Sequence, residues 1–239
     1  MLRQLSVWHG SGTILTMRTR RQQLILDMLV HRIPEDEFLR QIGIARESGS
    51  KLALSMLEDA YREHNGVDVE YGLHLGSWFG FTPKFLDILI RLSDSDWHRR
   101  HEDVVTALDQ LLDTRAIEAL HRATLKHHPY LDYDDTRALA DKAIWALARL
   151  GDARADRILW SLAESAEPVV REHAREQLYR KSGRVTPEER AQGKALCLRI
   201  DREKDQVLRT QLLRELHELV EREKAEEQRW MAEHGWDTP

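Results

Sequence analysis

Thr106-Ala-Leu-Asp-Gln-Leu-Leu-Asp-Thr-Arg-Ala-Ile-Glu-Ala-Leu120 can be laid over Trp145-Ala-Leu-Ala-Arg-Leu-Gly-Asp-Ala-Arg-Ala-Asp-Arg-Ile-Leu159. Ala107, Leu108, Leu111, Asp113, Arg115, Ala116 and Leu120 fall on Ala146, Leu147, Leu150, Asp152, Arg154, Ala155 and Leu159, each pair 39 residues apart. In both copies apolar residues recur at helical spacing on either side of an Asp-x-Arg break, so each unit reads as helix, turn, helix. A period near 40 with two helices per unit marks an array of stacked helix pairs, whose neighbours bury faces that one pair leaves exposed, so Leu108, Leu111, Leu147 and Leu150 are expected to be buried between units.

The same pattern extends in both directions. The first helices of the two clear units are predicted at about Arg100–Leu112 and Asp135–Leu150, the second helices at about Arg115–Lys126 and Ala153–Glu164. Upstream, Thr82-Pro83 opens a helix carrying Phe85, Leu86, Ile88, Leu89 and Leu92, with Leu89 preceding Leu120 by 31 residues as in a degenerate earlier unit. Downstream, Ala174 and Leu178 follow Ala143 and Leu147 by the same 31. The wording Pro168-x-Val-Arg-x-x-Ala-x-x-x-Leu178, together with Ala146-Leu-x-x-Leu-Gly-Asp-x-x-Ala155, resembles the HEAT-like repeats of the phycobilin-lyase-associated type. The resemblance covers Trp97–Leu178 well and Val69–Leu92 weakly. It implies an all-α solenoid with a role in protein interaction, and it names no partner.

Before the repeats, helices are predicted over Arg18–Arg32, from Pro34 onward through Phe38 and Ile42, and over Leu52–Tyr61. Ser48-Gly49-Ser50 reads as a break, and Asn65-Gly66 as a stop with Gly in the left-handed cap. Val69, Tyr71, Leu73, Leu75, Trp78 and Phe79 are apolar on more than one side and belong to the interior, as do Trp145 and Trp160. Residues 1–17 read as a disordered or mis-assigned extension, residues 18–182 as the repeat domain, and 183–239 as a C-terminal cap and tail. Thr186-Pro-Glu-Glu189 is a capping box. Leu212, Leu216, Leu219 and Val220 form the stripe of a helix that closes the array, or in the alternative a dimer seam over 205–225. Trp230 and Trp236 fall in a tail expected to be poorly ordered after Gly235.

Composition narrows the function. Lys and Arg number 36 against 41 Asp and Glu, a net charge of −5, which disfavours a protein that grips a phosphate backbone. Cys197 is the single cysteine, so no internal disulfide forms and a reducing, cytoplasmic setting is expected. No apolar run reaches the roughly 20 residues of a membrane helix. The sequence holds no Gly-rich phosphate loop and no Gly-x-Ser-x-Gly elbow.

Two polar loops precede the first helices of the clear units and should lie side by side, since Asp96 and Asp135 share the 39-residue period. One carries Trp97, His98, Arg99, Arg100, His101 and Glu102; the other Tyr130, Asp132, Tyr133, Asp134 and Asp135. Aromatics and Arg among carboxylates are the composition of binding hot spots, so these eleven residues are the candidate binding edge. The competing role is structural, with Asp134 or Asp135 capping a helix and Arg99 and Arg100 pairing across loops. His98, His101 and Glu102 stand at i, i+3, i+4 with Asp132 or Asp134 nearby, yet the orders of known metal motifs are missing, so no metal and no cofactor is assigned. His127-His128 reads as a solvated pair. The expected function is a monomeric, non-enzymatic module that binds another protein, of the immunity or anti-toxin kind in which an acidic surface masks a basic toxin. The alternative is an alkylpurine DNA glycosylase, a HEAT-like enzyme similar in length, against which the acidic balance stands.

Overall fold

The computed structural model describes residues 19–131, 136–184 and 186–236. Among these residues the chain is all-helical, with no strand. It divides into two compact units between Gly80 and Phe81, inside the span 18–182 that the sequence pattern assigns to one repeat domain.

The first unit contains α1 (Arg20–Leu29), α2 (Glu35–Ile42), α3 (Gly49–Glu63) and α4 (Gly66–Phe79). Thr19 and Gln22 form a capping box at the start of α1. Pro34 is the N-cap of α2, ahead of three acidic residues in the first turn. Ser48-Gly49-Ser50 is not a break: Gly49 opens α3, because the Phe79 ring occupies the place of a side chain there, and a Cβ would sit 2.4 Å from Phe79 Cγ. Gly72 admits Leu57 in the same way, which lets α3 and α4 pack closely as a hairpin. The left-handed cap falls on His64 (φ 52°) rather than Gly66. Asn65 takes the N-cap of α4, accepting from the Val67 and Asp68 amides, and this draws Gly66 into the helix.

The second unit contains α5 (Leu86–Ser93), α6 (His101–Leu111), α7 (Ile117–Leu125), α8 (Ala138–Arg149), α9 (Ala153–Leu162), α10 (Pro168–Lys181), α11 (Pro187–Arg202) and α12 (Gln206–Glu233). α6 packs on α8 and α8 on α10, while α7 meets α5, α8 and α9. Ala107, Leu108, Ala116 and Leu120 are buried, as are their counterparts Ala146, Leu147, Ala155 and Leu159. Leu111 and Leu150, expected in the core, are only partly buried because their helices end there. The turns match too. Asp113 accepts from the Arg115 amide at 3.0 Å and pairs with its guanidinium, and Asp152 does the same with Arg154, at 2.8 Å to the amide. Leu112 (φ 48°) and Gly151 (φ 64°) occupy the same left-handed step, 39 residues apart. The first copy therefore carries backbone strain that the second avoids with glycine.

Cationic side chains close the C-termini of alternate helices. Lys126 Nζ donates to Ser93 O at the end of α5 (3.1 Å). Arg137 donates to Thr124 O and Lys126 O at the end of α7 (3.1 and 2.8 Å), and Arg175 to Ala163 O at the end of α9 (2.9 Å). Each satisfies orphan carbonyls and sets positive charge at the negative helix end. Arg137 also pairs with Glu167 and is itself the left-handed N-cap of α8 (φ 53°), so α8 starts at Ala138 and not at Asp135.

α11 and α12 form a hairpin around Leu196, Ile200, Leu212 and Leu219, with Leu216 against them. Val220, expected in that stripe, is exposed. The end of α12 is not a loose tail. Trp230 and Trp236 are buried, Trp236 Nε1 donates to Glu164, and Arg175 lies 4.7 Å over the Trp236 ring. Trp145 and Trp160, expected in the core, are 39% and 42% exposed. Arg180 covers one face of Trp145 at 5.0 Å, and Trp160 rests on Trp236 at 5.3 Å. These two rings stay partly exposed, and cationic or aromatic neighbours cover them in place of a core.

Leu147→Ala is expected to cost about 2–5 kcal/mol through lost transfer energy and the cavity left behind. Urea melts showing a change below about half a kcal/mol would remove Leu147 from the shared core. Gly151→Leu is expected to cost about 1–2 kcal/mol, the strain of a branched residue at positive φ. An unchanged thermal midpoint in that variant would show that the left-handed step is not required.

Candidate functional site

The loop entering α6 is set by its histidines. His98 Nε2 donates to Leu92 O (2.9 Å), and its Nδ1 accepts from the Arg100 amide (3.1 Å). His101 Nε2 donates to Ser95 O (2.6 Å), which leaves Nδ1 to accept from the Tyr130 hydroxyl (2.7 Å). The His101 amide donates to the same hydroxyl at 3.4 Å. The carbonyls at the end of α5 thus fix one tautomer on each ring.

The rings stack. His98 lies 4.3 Å from His101 between centroids, and His101 lies 3.8 Å from His128. Trp97 meets His98 edge-on at 5.2 Å. The Arg99 guanidinium sits 5.9 Å over the Tyr130 ring. His98, His101 and His128 are buried, whereas Arg99 is exposed and Trp97 and Tyr130 are half-buried. An open cleft of about 520 Å³ lies over this stack, lined by Asp96, Trp97, Arg99 and Tyr130 among others.

Of the eleven residues marked from sequence, Trp97, His98, Arg99, His101 and Tyr130 come together. Arg100 pairs with Asp103 (3.7 Å) on its own helix, and Glu102 reaches Lys142 on α8 (2.7 Å). Asp132, Tyr133, Asp134 and Asp135 lie outside the described residues. Of the metal set considered from sequence, Glu102 is turned to Lys142, both His98 nitrogens are hydrogen-bonded, and Asp132 and Asp134 lie outside the described residues. His127-His128 is not a solvated pair: His127 is exposed, but His128 is stacked inside. Ser95, Asp96, Lys126, His128 and Arg137 all shape this region and were not among the marked residues. The available signal was weak, since only the position of Asp96 in the 39-residue period pointed to this edge.

The surrounding charges alternate in sign. Asp94 pairs with Arg122 (2.7 Å) and Lys126 (3.9 Å), and Asp96 with Lys126 (3.9 Å). On the face made by α6, α8 and α10, Asp109 pairs with Arg149 and Asp141 with His173 (3.1 Å). Burial pushes the carboxyls of Asp109 and Asp141 above the ordinary range.

Comparison with protein-family models, curated proteins and solved structures gives no match.

Burial holds His98 and His101 neutral. It lowers His98 below the ordinary histidine value and, opposed by the Ser95 carbonyl, takes His101 down to about 4. A depressed base is protonated more readily in the unfolded chain, so its contribution is fully present above about pH 6.5 and is lost as pH falls toward 4. Urea stability should therefore decline between pH 7 and pH 4.5 by on the order of 2–3 kcal/mol, with a shallower decline in His101→Gln. Identical slopes in the two proteins would show that His101 does not report the loss.

Proposed function

We propose that this chain is a HEAT-like helical-repeat module that binds another protein through the edge formed by Trp97, Arg99 and Tyr130. The observation that carries this reading is the juxtaposition of two half-buried aromatic rings and an exposed arginine around an open cleft. Anchors of this kind, held rigid from below, dominate protein interfaces. The rigidity comes from the histidines beneath, which tie the loop to the end of α5. The packing of α6, α8 and α10 side by side, with α7 meeting α5 and α9, is consistent with a solenoid of stacked pairs.

The charge pattern supports a protein partner over a duplex. Around the edge and on the α6–α8–α10 face, many basic side chains stand against carboxylates, so the described pairs do not add up to a continuous basic groove. The net charge of −5 fits an immunity or anti-toxin role, in which such a surface meets a basic toxin.

Cross-linking capture from the source cells tests the reading, using wild type beside Trp97→Ala and Arg99→Glu. One protein recovered with wild type and reduced at least tenfold in both variants, at unchanged melting temperature, is the expected outcome; the hot-spot scale is roughly 2 kcal/mol. Capture unaffected by both substitutions would remove the edge from the interface. Tight, strongly salt-dependent binding of duplex DNA in an anisotropy assay would overturn the reading in favour of the glycosylase alternative.

A further inference from the structure

Beneath that edge, Asp96, His101 and His128 place three potential ligand atoms, one from each side chain, within 4.8 Å of one another. We propose that these three residues form a binding site for one divalent transition-metal ion of the zinc class, with water as the fourth ligand. The assignment does not depend on the protein-binding reading.

The donor set suits the ion. Two imidazoles and a carboxylate are ligands for zinc and its neighbours, and one position left open is common in three-ligand sites. His101 and His128 are buried, and the cleft of about 520 Å³, lined by Asp96 and His128, gives an ion a path from solvent to those two side chains. Asp96 is exposed and hangs at the mouth, where its carboxylate contributes the negative charge that two neutral rings lack. Its present partner, Lys126, is 3.9 Å away, a loose contact that an ion would outcompete.

Both nitrogens of His101 are engaged, so the ion must displace one of its hydrogen bonds. Giving up Nε2 is the smaller change. The Nε2 hydrogen leaves the Ser95 carbonyl and a hydrogen is taken up at Nδ1, which then donates to the Tyr130 oxygen already 2.7 Å away. The imidazole stays neutral throughout. Tyr130 then serves as the hydrogen-bonding partner that metal-bound histidines usually have, orienting the ring. Ser95 is half-exposed, so water can take over its carbonyl. The ion also needs ligands at about 2.0–2.2 Å, which requires His101 and His128 to turn out of their 3.8 Å stack toward it.

The test uses the tag-free full chain, stripped with chelator and titrated with zinc by calorimetry, and with cobalt(II) followed in the visible spectrum. One equivalent of zinc, a cobalt band of tetrahedral intensity and a rise in melting temperature with added zinc are expected. Asp96→Asn and His128→Gln should each weaken zinc binding roughly tenfold or more, while His127→Gln, on the exposed neighbour, should leave it unchanged. Asp96→Asn alters an exposed side chain, so its effect is read on folded protein even if His128→Gln melts early. No heat and no cobalt band overturns the proposal. So does zinc binding that survives Asp96→Asn undiminished, or that His127→Gln abolishes.

Discussion

Close approach of helices across buried alanines is the constraint on which the second unit rests. Ala107, Ala116, Ala119, Ala123, Ala140, Ala143, Ala146, Ala155, Ala163 and Ala174 are all essentially inaccessible to solvent. Their small side chains let one helix sit against the next, and Leu108, Leu120, Leu147 and Leu159 fill the space between. Larger residues at those alanines would force the helices apart, as overpacking does in any dense core. The first unit solves the same problem with glycine, where Gly49 and Gly72 give way to Phe79 and Leu57.

Close packing of neighbouring helices brings their connecting loops together, and this is where the candidate site arises. The loop entering α6 and the segment after α7 face each other because the helices they join are neighbours. Leu92 and Ser93 in the last turn of α5, and Ser95 just after it, present carbonyls that His98, Lys126 and His101 meet. The histidines are therefore both structural ties and members of the cleft. Their neutrality follows from burial, and neutral imidazole is the form able to bind a metal. In the rim above them, Tyr130 also accepts from the His101 amide at the start of α6, whereas Arg99 is exposed and lies over the Tyr130 ring.

The C-terminal region shows how an exposed apolar ring is managed without a core. Trp160 lies on an outer face of α9, and the end of α12 returns to cover it with Trp230, His234 and Trp236. The α11–α12 hairpin itself has only a small apolar cluster. Its attachment depends on this aromatic contact and on Tyr179 of α10, 5.6 Å from Trp230.

The all-helical class, the register of the two copies and the Asp-x-Arg turns were legible in the sequence, because each is local. Helical periodicity and a two-residue clasp need no knowledge of distant residues. Leu108 and Leu147 were legible as core for the same reason. The left-handed step was written as Gly151 in one copy and hidden as Leu112 in the other, where surrounding structure overrides preference. The repeat period set the two loops side by side as an expectation, but it pointed neither to the His101–Tyr130 hydrogen bond nor to the burial of His128 beside His101. A histidine next to a proline carries no local sign of what will stack on it. The exposure of Trp145 and Trp160, and the capture of Trp230 and Trp236, were decided by tertiary structure alone. Which face of a helix remains open depends on which helices pack on it and what the last helix covers, and composition records neither.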